Sequence, residues 1–145
     1  MNDPSCTFCR IVAGELPAHE VLRDDAVVAF LDVRPLFHGH VLVVPVAHAE
    51  ALPDLPVEQV GPFFERVQAL SVAVRDATGA QGTFVAVNNV VSQSVPHLHA
   101  HVVPRTKGDG LRGFFWPRTT YPDPDQAAAV AASIASALGD VSRRA

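Results

Sequence analysis

Residues 94–105, SVPHLHAHVVPR, carry histidines at 97, 99 and 101 with apolar residues between them. On an extended strand alternate side chains share a face. His97, His99, His101 and Val103 then line one side, and Leu98, Ala100 and Val102 line the other, which suits a core. Such a row can be a polar sheet face, a metal site or a nucleophilic centre. One ion for all three is a poor fit. At ~3.3 Å per residue the outer Cα atoms stand about 13 Å apart. Zn–N bonds of about 2.0 Å would pull both outer rings sharply inward. One of the three, joined to ligands from elsewhere, meets no such difficulty. As a nucleophile, an imidazole with an ordinary pKa of about 6.5 is abundantly neutral at neutral pH. It can attack phosphorus, form a covalent intermediate and leave again. Flanked on both sides, His99 is best placed for the attack. Its other ring nitrogen then needs a fixed acceptor, and a backbone carbonyl of the same strand would serve. Its neighbours can donate to phosphoryl oxygens and move a proton.

The chain's two cysteines, Cys6 and Cys9, form a C-x-x-C pair. In a reducing compartment a structural disulfide is disfavoured. The pair is a redox motif, half of a zinc site, or two unrelated thiols.

The elements that must position these groups follow from periodicity. CTFCRIVA, residues 6–13, reads as a short helical turn closed by Gly14 and stopped by Pro17. HEVLRDDAVVAFLD reads as strands over 19–23 and 26–32 around an Asp24–Asp25 turn. In the second, Val28, Phe30 and Asp32 face one way and Val27, Ala29 and Leu31 the other. HVLVVP, 40–45, is a nearly continuous apolar strand, buried on both sides. Val60, Phe63, Phe64, Val67, Leu70 and Val74 recur at steps of three and four and mark a helix ended by Gly79, with Pro62 in its first turn or at a kink. TFVAVNN and HLHAHVVP are two more strands joined by VVSQSVP. Residues 106–122 are glycine-rich and then aromatic; Phe114, Phe115 and Trp116 together call for a packing partner. Asp123 can cap and Pro124 open a last helix, closed by Gly139, with Val130, Ile134 and Leu138 as a narrow stripe.

Composition bounds the rest. With 145 residues, 48% hydrophobic and 18% charged, the chain suits one globular domain with a real core. A formal net charge of -4 argues against a broad nucleic-acid surface, though not against a small anion site. No apolar run approaches the ~20 residues of a membrane span. MNDPSCTFCR lacks a basic n-region followed by an apolar one, so a cytoplasmic protein is expected.

PHLHAHVVP resembles the signature of the histidine triad (HIT) family, three histidines alternating with apolar residues. CTFCRIVAGELPAHEVLRDDAVVAFLDVRP followed by GHVLVVPVAH is similar to the N-terminal half of its bacterial members. The likeness spans residues 6 to 105, with a weaker trace through Trp116–Pro117. It implies an α+β fold. This would be a five-stranded antiparallel sheet with one long central helix, a short N-terminal helix and an added C-terminal helix. The single domain would have its core at 6–105 and an extension at 106–145. It implies His99 as nucleophile toward the α-phosphorus of a nucleotide, His101 as phosphate contact and His40 as a further histidine beside the triad. Water would then release a nucleoside monophosphate. The third histidine, His101, is Gln in phosphorylase-type relatives, which favours the hydrolase and nucleotide-binding branches.

By the same resemblance Asp32 grips the ribose hydroxyls, as a carboxylate accepts from a vicinal diol. Phe8, Ile11, Leu31 and Val33 form the slot for the base. Asn88 or Asn89, with Gln93 and Ser94, bind phosphate oxygens and the leaving group. The family's longer, glycine-containing loop is replaced here by NNVVSQSVPH, which has no glycine. Zinc-containing members use a set matched by Cys6, Cys9, His48 and His97, which implies a structural zinc; no catalytic cofactor is required. The expected ligand is a purine, AMP-like nucleotide, and the expected assembly a homodimer with sheets side by side. The 60–78 helix face and the FFWP segment are its candidate contacts. Neither nucleic acid nor membrane is expected as a partner. The leading expectation is hydrolysis of adenosine phosphoramidates or related nucleotides. Dinucleoside polyphosphate hydrolysis, a non-catalytic nucleotide-binding or interaction module, and zinc chemistry at the triad are the alternatives.

Overall fold

The computed structural model describes residues 3–111 and 118–144. Phe114, Phe115, Trp116 and Pro117, expected to pack as a group, lie outside the described residues. The chain forms two compact units, 1–109 and 110–145.

The first unit is one antiparallel sheet in the order β1-β2-β3-β5-β4. Its strands are β1 (Glu20–Arg23), β2 (Val27–Leu31), β3 (Val41–Pro45), β4 (Gly82–Val87) and β5 (Ala100–Arg105). Helix α1 (Thr7–Val12) precedes them, and α2 (Val57–Thr78) lies between β3 and β4. This is the expected five-stranded antiparallel α+β arrangement. The period-two pattern of β2 divides two cores. Val27 and Ala29 join Val43, Phe63, Val67 and Leu70 in the core that includes α2. Val28 and Phe30 join Phe8, Cys9, Ile11 and Leu42 in the core that includes α1. β3, central and wholly buried, serves both cores, as its unbroken apolar run requires.

Helix ends follow local chemistry. Cys6 caps α1, its sulfur accepting the Cys9 amide at 3.4 Å. Gly79 ends α2 at φ 68°, a left-handed position that suits a residue without Cβ. α2 begins three residues before its apolar periodicity, so Pro62 sits in its second turn. Phe64, expected on the buried face, stays 37% exposed against Phe63.

Two expectations need correction. HLHAHVVP is not all strand: β5 starts at Ala100. The amide of His97 bonds the Val95 carbonyl at 2.8 Å, and that of Leu98 bonds Ala49 at 2.7 Å. These bonds engage the loops, so His97 and His99 precede the ladder. The alternation survives all the same. Leu98, Ala100 and Val102 enter the α2 core, while the rings of His97 and His99 lie against Phe8 of α1.

The second correction concerns Gly139, which does not end the last helix. In the second unit, α3 runs over Pro124–Arg144. Asp123 caps it, its carboxylate accepting the Gln126 amide at 2.9 Å. A glycine inside a helix costs about 1 kcal/mol against alanine, less than the alanine-rich flanks can absorb. Val130, Ile134 and Leu138 are exposed along it. No helix among the described residues is long and apolar enough to cross a membrane.

Candidate active site and metal centre

Four ligand atoms meet where α1, the segment after β3 and the segment before β5 converge. Cys9 Sγ lies 3.2 Å from His48 Nδ1 and 3.5 Å from His97 Nδ1, and Cys6 Sγ lies 3.5 Å from His97 Nδ1. All four atoms fall within 4.8 Å of one another. Two sulfurs and two imidazole nitrogens are the donor set of a closed tetrahedral zinc site. The proton placement fits as well. His97 Nε2–H donates to the Pro45 carbonyl at 3.0 Å, which leaves the Nδ1 lone pair facing the sulfurs. Burial pushes the His97 pKa down to about 4, so its ring is neutral, as a ligand must be. Burial also raises the Cys9 thiol pKa, and a bound cation would reverse that.

His99 is 3% exposed, and its ring meets Phe8 edge to face at 5.2 Å. Its Nδ1–H donates to the His97 carbonyl at 2.7 Å. A carbonyl only accepts, so the tautomer is set and the lone pair is at Nε2. The acceptor is a backbone carbonyl, as expected, although His97 precedes β5 and does not lie on the strand.

His101 is governed by a second relay. The Leu36 amide donates to His40 Nδ1 at 3.1 Å, so the proton of neutral His40 is on Nε2. That Nε2–H donates to His101 Nδ1 at 2.9 Å, which puts the His101 proton on Nε2. Burial lowers the pKa of His101 to about 4, with the neighbouring imidazoles disfavouring a further positive charge and Asp32 opposing. Burial lowers that of His40 too, with Asp32 opposing. Asp32 Oδ2 is 3.7 Å from His40 Nε2, and Oδ1 accepts the Arg34 amide at 2.9 Å.

These groups border an open cavity of about 630 Å³. Phe8, Ile11, Leu31, Asp32 and Val33 line it, together with Ser94, His99 and His101. Leu31 faces it beside Asp32, against the expected alternation, because β2 ends at Leu31 and the Asp32 amide bonds back to the His40 carbonyl. His40 is buried behind His101. Asn89 and Gln93 serve the loop backbone. Asn89 Oδ1 accepts the Leu52 amide at 2.8 Å, and Gln93 joins the Val90 amide to the Glu50 carbonyl. Asn88 is half-buried just past β4 and is not among the lining residues. Sequence reasoning missed Phe30, Leu42, His19 and Arg34 on the wall. Phe30 shares the Asp32 face of β2 and pairs with Leu42, so periodicity and register held a signal for those two. Nothing local marked the others.

A model of the HIT domain matches residues 13–108, a span that begins after the two cysteines. The chain is 41% identical over 107 residues to a HIT-like protein of Methanocaldococcus jannaschii, covering 72% of this chain and 82% of that one. It is 31% identical over 137 residues to an adenosine 5'-monophosphoramidase of Schizosaccharomyces pombe, covering 92% and 98%. A zinc-bound histidine triad protein of Mycobacterium smegmatis superposes with a TM-score of 0.71 at 36% identity, covering 92% of this chain and 97% of that one. The alternating histidines 97, 99 and 101, the sheet and the relatives agree: the chain belongs to the histidine triad (HIT) family.

Proposed function

We propose that this protein is a nucleotide hydrolase that cleaves a P–N bond at the α-phosphate of an adenosine phosphoramidate and releases AMP. The observation that carries the reading is the His99 Nδ1–H bond to the His97 carbonyl, which leaves an Nε2 lone pair on a buried ring at the cavity wall. Nε2 attacks phosphorus, the P–N bond breaks, and the amine departs with a proton from water at the open mouth. Water then attacks the nucleotidyl-histidine, giving its proton to the hydroxide left by the first step, the N–P bond breaks, and AMP leaves with His99 restored. His101 presents Nε2–H to the phosphoryl oxygens as a neutral donor, because its low pKa keeps it from carrying charge at neutral pH. Asp32 receives the ribose hydroxyls, and Phe8, Ile11, Leu31 and Val33 hold the base. Of the polar loop groups, Ser94 serves the phosphate directly; Asn89 and Gln93 act by shaping the loop. The Schizosaccharomyces pombe relative, by its name an adenosine 5'-monophosphoramidase, supports the substrate class.

Cys6, Cys9, His48 and His97 hold a structural zinc in this reading. Bound there, the ion ties α1 to the segment carrying the nucleophile. A cytoplasmic homodimer completes the proposal, supported by β4 at the sheet edge with Val85 exposed on it.

The test is turnover of adenosine 5'-phosphoramidate, with acid quench and mass analysis for a nucleotidyl adduct. The wild type is expected to release AMP and His99→Ala to lose activity by at least about 10³-fold. Turnover that survives the substitution removes His99 as nucleophile. No turnover by the wild type removes the hydrolase reading for that substrate.

A further inference from the structure

The sequence places six arginines in residues 1–109. Five of them face a carboxylate: Arg10 with Glu15, Arg23 with Glu20, Arg66 with Asp24, Arg75 with Asp76, and Arg105 with Asp109. Among the described residues Arg34 is the exception, and it lines the cavity that His99 and His101 also line. Its guanidinium offers a planar fork of donors. An uncompensated cation on a largely apolar wall attracts an anionic ligand group.

The turn around Asp32 decides which ligand group lies within reach. Oδ2 of Asp32 is 3.7 Å from His40 Nε2, which bonds His101, while Oδ1 accepts the amide of Arg34. The two carboxylate oxygens thus face two ways, one toward the histidines and one onto the main-chain amide of Arg34. Arg34 stands two residues past Asp32, its main-chain amide held by that carboxylate, and it lines the same cavity. With Asp32 on the ribose hydroxyls, the nearest place for a second anion is the ribose itself.

Resting on the nucleotide reading above, we infer that Arg34 is a specificity residue for nucleotides carrying a phosphate monoester on the 2'- or 3'-oxygen of the ribose, in addition to the α-phosphate. The remaining ribose hydroxyl donates to Asp32, and the extra phosphate takes the guanidinium through two parallel N–H bonds. Lysine at this position would keep the charge and lose the fork.

Calorimetric titration of the full chain with four probes tests this: AMP, GMP, adenosine 3',5'-bisphosphate and adenosine 2',5'-bisphosphate. Wild type, Arg34→Ala and Arg34→Lys are compared. At least one bisphosphate is expected to bind about tenfold tighter than AMP to the wild type. That ratio should fall to about one in Arg34→Ala and be partly kept in Arg34→Lys. The two bisphosphates separate the 2' from the 3' position. If AMP binds and neither bisphosphate gains, or if the gain persists in Arg34→Ala, the inference is overturned while the nucleotide reading stands. A GMP preference that vanishes in Arg34→Ala overturns it in favour of a contact to the base edge. No binding by any of the four overturns both.

Discussion

Two clusters of potential ligands flank His99, and they are built on opposite rules. Cys6, Cys9, His48 and His97 form one; Asp32, His40 and His101 form the other. Both gather three or more metal-type donors within 4.8 Å. In the first, the proton of His97 points away to Pro45, and the lone pair converges with two sulfurs. In the second, His40 Nδ1 is taken by the Leu36 amide, and its Nε2–H occupies His101 Nδ1. No two imidazole lone pairs are left to meet there. Donor count is the same kind of signal in both; proton placement separates a metal centre from a hydrogen-bond relay. Zinc chemistry at the triad, one of the readings open to the sequence, finds no support in the second cluster.

The largest effect expected on this contrast comes from Cys9→Ser. Zinc should fall from about one ion per chain to none, with a loss of at least about 3 kcal/mol in unfolding free energy. His40→Ala should leave the metal content unchanged. Elemental analysis with denaturant melts checks both; zinc lost from the His40 variant would merge the two clusters.

Next is the relay itself. His40→Ala strips His101 of the donor that sets its tautomer and is expected to lower kcat about 30-fold, with KM moving less. His40→Gln can still present an N–H to His101 Nδ1 and should recover most of that loss. Equal damage from both substitutions would reduce His40 to packing.

The pH dependence of stability follows in size. His101 has an ordinary pKa near 6.5 when unfolded and about 4 when folded. The unfolded chain therefore binds more protons in this window, and stability rises with pH. The contribution is full above about 6.5 and is lost as pH falls toward 4, at most about 3 kcal/mol and less after screening by partial exposure. His101→Gln should reduce, though not abolish, the wild-type slope between pH 6.5 and 4, since His97 shares that window; melts in matched buffers read it. An unchanged slope would place the proton uptake elsewhere.

The smallest effect concerns the loop that leads into the histidines. Val90 adopts φ 69° and Ser92 φ 61°, left-handed positions that disfavour a β-branched residue most. Val90→Gly relieves that strain but adds freedom to the unfolded chain. A net gain of up to about 1 kcal/mol in melts is expected, without change in zinc content. A loss would mean that the exposed Val90 side chain stabilises the loop.

Local pattern carried much of this protein. Period two in 97–102 separates histidines from core residues even where no strand is present, because alternation needs only extended backbone. The steps of three and four from Val60 to Val74 located α2, and Gly79 its end. The C-x-x-C spacing put both sulfurs on one short helix. What local pattern could not supply is the partner across the fold. Asn89 and Gln93 read as phosphate binders and turn out to bond the 50–52 backbone, since an amide takes whichever groups the fold brings near. Residues 97 and 98 give their amides to loops, so β5 starts late.

The sequence by itself determined three histidines on one face, two thiols one helical turn apart and an apolar sheet to carry them. The tertiary structure decided which nitrogen of each ring holds the proton. That choice depends on Pro45, the carbonyl of His97 and the amide of Leu36, and the first and last of these lie far from the triad in the chain. Among the described residues it also left Arg34 without a carboxylate, because pairing is a matter of distance in space that charge spacing along the chain does not measure.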